Sequence, residues 1–173
     1  LTSFGNNFSI NDSGNVAFVG QSSFNTDLLV ANNLGNITNL SVAYPFKFKS
    51  AVQINNKNKI VAVDSVTNSS NQQDTKVRVW DFNNPTSYQD LAKGYYSIDP
   101  PGINSPNFEN IYSFASINNN NQVVFTADPL GNPPSFALET PKGTVDIFGR
   151  KTFNQSVPSI QNTRPMIADD GQV

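Results

Sequence analysis

The stretch SINDSGNVAF, residues 9–18, decides the fold. Ser9 and Ile10 end one extended segment, Asn11-Asp12-Ser13-Gly14 is a run of turn formers, and Val16-Ala17-Phe18 opens a second apolar segment. Two strands joined this tightly make a hairpin, and Gly, Asn and Asp supply the positive φ that such turns require. The string then returns as QINNKNKIVA at 53–62, SINNNNQVVF at 116–125 and MIADDGQV at 166–173. Its anchors, Ile10, Ile54, Ile117 and Ile167, lie 44, 63 and 50 residues apart. Asn58 and Asn121 stand where Gly14 and Gly171 stand, as residues able to take the left-handed conformation.

The likeness continues past the hairpin. A third strand is expected at Asp27–Val30, Val77–Trp80 and Phe136–Leu138, and a second polar turn follows each. A fourth strand is expected at Ile37–Leu40, Tyr88–Leu91 and Val145–Phe148. With the strand before each anchor, the unit is four short antiparallel strands in a meander, the size and pattern of a propeller blade. Val16-Ala17-Phe18-Val19 hardly alternates, as suits a sheet buried on both faces between neighbours. The expected fold class is therefore all-β, a β-propeller of four-stranded blades at roughly 4–40, 46–91 and 110–148, with a fourth starting at 160–173. A β-sandwich is the alternative, but it does not demand one hairpin chemistry at the same phase of every unit.

Three blades and a first strand do not close a ring, since closed propellers have four to eight blades. The fourth copy stops at Val173, where its second strand is due. The chain opens at Leu1 without a charged segment followed by an apolar one. The expectation is a matured secreted chain or a piece of a larger ring, completed by further blades or by a second copy.

Composition narrows the chemistry. The 173 residues include 26 Asn, 13 Phe and 5 Tyr, with no Cys and no His. That excludes disulfides, thiolate chemistry and the commonest general base, and leaves zinc few ligands. Net charge is −2 and no Lys/Arg cluster exists, so nucleic acid is not an expected partner. No apolar run of about 18 residues is present, so no membrane-spanning helix is expected. No P-loop, dinucleotide fingerprint or Ser-His-Asp set occurs, and the acids are too sparse at each turn for calcium. No cofactor and no metal is implied.

Asn11-x-x-Gly14-x-Val16-Ala17-Phe18 resembles the tandem N-x-x-G-x-V-A-F repeats of secreted, often anchored, bacterial proteins common in cyanobacteria. The blade layout is similar to that of NHL-type propellers. Copies two and three depart from the pattern, with Asn58 and Asn121 replacing Gly and Val61-Ala62 and Val124-Phe125 replacing Ala-Phe. The resemblance implies a secreted or extracellular propeller and carries over no catalytic residues.

Function is expected on the long, dissimilar loops opposite the short turns. Tyr95, Tyr96 and Asp99 fall in a Pro-bounded loop where rings could stack on a sugar and the acid could take its hydroxyls. Glu109 and Arg78 are further binding candidates; Arg78 is a charge in an apolar run, for which Asp81 or Asp74 is the simple partner. Asp64 and Asp128 are expected to end their second strands near that face. The leading expectation is a non-enzymatic scaffold binding glycan or protein in an extracellular matrix or at a cell surface. One alternative is a polysaccharide hydrolase or lyase using Asp64, Asp99 and Asp128, which needs two carboxylates about 5 to 10 Å apart in one pocket. Another is a structural repeat that assembles edge to edge.

Overall fold

The computed structural model describes residues 3–21, 26–41, 47–48, 51–67, 73–94, 107–129, 135–139, 145–148 and 164–173. Every regular element among them is a strand. The first repeat is β1 (Ser3–Ile10), β2 (Val16–Gln21), β3 (Thr26–Ala31) and β4 (Ile37–Asn39). The second is β5 (Lys47–Phe48) with β6 (Gln53–Ile54), then β7 (Lys59–Thr67), β8 (Gln73–Asp81) and β9 (Asn84–Gly94). The third is β10 (Asn107–Ile117), β11 (Val123–Pro129), β12 (Ser135–Glu139) and β13 (Val145–Phe148).

Each repeat is an antiparallel meander, as the hairpin spacing implies. The first forms a separate sheet in the order β1-β2-β3-β4. The second and third share one hydrogen-bonded path, because β9 and β10 touch in parallel at Lys93–Asn107 and Gly94–Phe108. Neither sheet closes on itself among the described residues. The pairing of β1 with β2 shifts register between Phe4 and Phe8, and that of β10 with β11 shifts between Phe108 and Asn110 and between Ile111 and Ala115. A bulge adds local twist to the strand that carries it.

Period-two alternation in the second strands explains their unbroken apolar character. Ala17 and Val19 of β2 join Ile60 and Ala62 of β7 in one core. Val61 and Val63, on the other face of β7, join Val123, Phe125 and Ala127 of β11 in the next. Val124 then meets Ile167 of the fourth repeat. The second strands of the second and third repeats thus give alternate residues to the repeat before and to the repeat after, which fits repeats stacked face to face. Leu28 and Val30, together with Trp80, fill the first junction; Val77, Ala92 and Ile111 fill the second.

Asn58 and Asn121 take φ of 59° and 61°, beside Gly14 at 75° and Gly171 at 85°. The left-handed position read from the sequence is occupied in all four turns.

Candidate functional site

The repeated turns are locked to one another by side-chain amides. Within a turn the first Asn folds back: Asn55 Oδ1 accepts from Lys57 N and Lys59 N at 3.0 and 2.9 Å. Asn11 does the same for Ser13 and Asn15, and Asn118 for Asn120 and Gln122. This local bond explains a turn but not its recurrence. The other half of the amide reaches the next repeat. Asn11 Nδ2 donates to Asn55 O at 3.1 Å and to Asn58 Oδ1 at 2.8 Å. Asn55 Nδ2 donates to Asn118 O and Asn121 Oδ1, both at 2.8 Å. Asn118 Nδ2 donates to Ala168 O at 2.9 Å.

A second rung runs beside the first. Backbone N–H groups of Asp12, Asn56 and Asn119 donate to the side-chain oxygens of Asn56, Asn119 and Asp169. Asn119 Nδ2 also donates to Asp169, and these two bonds hold that carboxyl below its ordinary value. The Asn-rich string returns because, in each of the first three copies, one amide caps its own turn and grips the next copy's. Asn55 and Asn118 are buried, so an unmet amide there would carry a desolvation cost.

Four segments, each just before its repeat's turn, meet beside the ladder. Asn7 and Ser9, Ala51 and Gln53, Phe114, and Arg164 line one cavity of about 120 Å³. Arg164 Nη2 donates to Asn7 Oδ1 at 3.1 Å, joining the fourth repeat to the first, and its guanidinium lies 5.0 Å from the Phe114 ring centre. Ser9 Oγ and Gln53 Oε1 are engaged by Ile54 N and Ile117 N. The cavity is smaller than the roughly 300–1,000 Å³ of drug-sized pockets, and suits one side chain or the edge of one sugar. An open groove of about 380 Å³ follows the turns from Asp12 to Asp169. Its amides are largely engaged with each other in the ladder, as Asn7, Ser9 and Gln53 are engaged around the cavity.

The third constellation is a buried ion cluster. Arg78 Nη1 donates to Asp64 Oδ2 at 2.8 Å, and Arg78 Nε donates to Asp90 Oδ1. Lys76 Nζ is 3.7 Å from Asp90, and the Tyr88 ring lies under Arg78 at 4.8 Å. Asp64 is 1% exposed, and its Oδ1 has no hydrogen-bond partner. Burial pushes the Asp64 carboxyl up to about 7, against the opposing pull of the Arg78 charge and the Ser65 N–H.

Several expected residues lie elsewhere than the sequence suggested. Tyr95, Tyr96 and Asp99 lie outside the described residues. Asp64 does not sit at a loop: β7 and β8 run on, pairing Asp64 with Lys76 and Thr67 with Gln73. Asp128 is the last residue but one of β11, at the strand end expected, opposite Asn110, and Glu109 is inside β10. Arg78 is buried between strands, and its partners are Asp64 and Asp90, whereas Asp81 pairs with Lys59 at 2.7 Å. Sequence reasoning missed Arg164, Asn7 and Phe114. Their signal was a position a few residues before each anchor, on the strand nearest the neighbouring repeats.

Among the described residues, no group of three His, Cys, Asp or Glu side chains is placed to hold a metal. No described helix is long and apolar enough to cross a membrane. No protein-family model matches this sequence, and no curated protein matches it.

Proposed function

We propose that the repeats are successive blades of a β-propeller, and that the chain is a secreted, non-enzymatic scaffold that binds glycan or extracellular protein. The observation that carries this reading is the convergence of four segments, one before each repeated turn, on one cavity, bridged from Arg164 to Asn7. Successive four-stranded meanders whose first segments share a cavity are compatible with blades set around an axis. The cavity offers a guanidinium, an amide and an aromatic ring, which suit carboxylates, hydroxyls and apolar sugar or side-chain faces. A fold alone does not choose a ligand, so the chemistry of these groups sets the search.

The hydrolase reading is less well supported. Asp64 is committed to Arg78 and buried, so it is not offered to a polymer. Titration calorimetry against neutral oligosaccharides, uronate oligosaccharides and carboxylate-bearing peptides tests the proposal. Binding that is lost at least tenfold in Arg164→Ala and Phe114→Ala supports it. Binding untouched by either substitution, or release of reducing sugar that Asp64→Asn abolishes, overturns it.

A further inference from the structure

The hydrogen bonds around the Arg164 cavity fix which way its polar side chains are turned. A guanidinium and a backbone N–H can only donate. Asn7 Oδ1 therefore faces Arg164 Nη2, Ser9 Oγ takes the Ile54 N–H, and Gln53 Oε1 takes the Ile117 N–H. Each of these oxygens is already accepting. The groups left over are donors: Asn7 Nδ2, Gln53 Nε2, the Ser9 hydroxyl proton and the remaining N–H groups of Arg164. Among the described residues, none of them donates to another protein group. Arg164 is also the one charged residue lining the cavity. It is exposed, and its partners among the described residues are a neutral amide and the Phe114 ring. The buried Arg78, by contrast, is closed off by Asp64 and Asp90. A wall rich in donors, with a positive charge that no described carboxylate balances, is complementary to an anion that brings acceptors.

We infer, resting on the binding reading of this cavity, that it takes the carboxylate of a uronic acid residue in an acidic glycan. The guanidinium fork matches a planar carboxylate, and the bond to Asn7 holds that fork beside Phe114. Around its carboxylate a uronate presents ring and linking oxygens that only accept, and hydroxyls that accept as readily as they donate. An acidic peptide brings a backbone N–H with nearly every carbonyl, and the side-chain oxygens that would meet it are in use. A volume of about 120 Å³ holds the carboxylate and the ring edge that bears it, so the rest of the glycan lies outside.

The test is titration calorimetry of the full chain with trigalacturonate, with its methyl ester, and with a glutamate tripeptide. The ester keeps the oxygens of the sugar but not the charge. Binding of the uronate at least about tenfold tighter than of ester or peptide supports the inference. Two variants locate the site: Arg164→Ala removes the charge, and Asn7→Asp keeps the shape of Asn7 but sets an acid against the guanidinium. Each is expected to weaken uronate binding at least about tenfold, with circular dichroism confirming that the strands are kept. Uronate binding that both variants leave unchanged overturns the inference. Equal affinity for acid and ester, or preference for the peptide, overturns it while leaving the binding scaffold standing. If none of the three binds, the inference fails, and the neutral oligosaccharides of the first titration show whether the scaffold reading fails with it.

Discussion

Replacing Asn55 by Ala separates the two jobs of the ladder amide. Its Oδ1 accepts two backbone N–H bonds within its own turn, and its Nδ2 donates two bonds of 2.8 Å to the next repeat. Asn32 is an internal control. It makes the same pair of local bonds, to Leu34 N at 3.0 Å and Asn36 N at 2.9 Å, on an exposed turn. A net hydrogen bond contributes about 1 kcal/mol, and a buried group left without a partner costs about 1–3 kcal/mol. Asn32→Ala is therefore expected to cost about 1 kcal/mol, since water replaces what is lost. Asn55→Ala loses the same local bonds and both inter-repeat bonds, leaving Asn118 O with its Asn121 N–H bond alone and Asn121 Oδ1 without its Asn55 donor, for about 3 kcal/mol in all. Asn55→Asp keeps the local acceptor but turns a carboxylate oxygen toward two acceptors, so it recovers little. Urea denaturation at fixed pH gives the three values from shifts in midpoint at constant slope. If Asn55→Ala costs no more than Asn32→Ala, the inter-repeat bonds contribute nothing and the reasoning fails.

Asp64 predicts a pH dependence. Its carboxyl titrates near 7 when folded and at 3.8 when free, so the folded state holds the extra proton between those values. Its contribution to stability is then full below about pH 4, declines by up to about 1.4 kcal/mol per pH unit, and is lost above 7. Melting curves of wild type against Asp64→Asn should show that slope in the wild type and flatten it in the variant. Arg78→Ala leaves Asp64 and Asp90 without their shared guanidinium, and chemical denaturation should show a loss of about 3–5 kcal/mol. Arg78→Lys should restore only part of it, because a point charge does not serve both carboxylates as a fork does. Gly14 and Gly35 both have positive φ, but a Cβ on Gly14 would lie 3.2 Å from Asn33 Cβ, while Gly35 faces open space. Gly35→Ala should cost about 1 kcal/mol and Gly14→Ala distinctly more, as read by thermal denaturation.

The repeat was legible because tight turns leave a chemical record. Asn58 and Asn121 could be aligned with glycines, and their positive φ follows. The inter-repeat donation was not legible, because Asn at a turn is explained in full by its local bond. Only the neighbour's position shows that the amide faces outward. Asp64 was placed at a strand end because an acid after Val63 reads as a turn; the Arg78 charge across the ladder lets the strand continue through it. Period two alone could have excluded Asp81 as the partner of Arg78, since residues three apart in a strand face opposite ways. Asp90 could not have been chosen that way, because it meets Arg78 only through the register of β8 on β9. The cavity at Arg164 was hidden for the same reason: its lining comes from four segments that only the stacking brings together.

The central claim is that four distant turns stand rung upon rung. The most direct measurement is a set of nuclear Overhauser contacts from the side-chain amide protons of Asn11, Asn55 and Asn118, assigned by single Asn→Asp substitutions. The account predicts contacts from Asn11 to residues 55–58, from Asn55 to residues 118–121, and from Asn118 to residue 168. Amide protons that see only their own turns would contradict it.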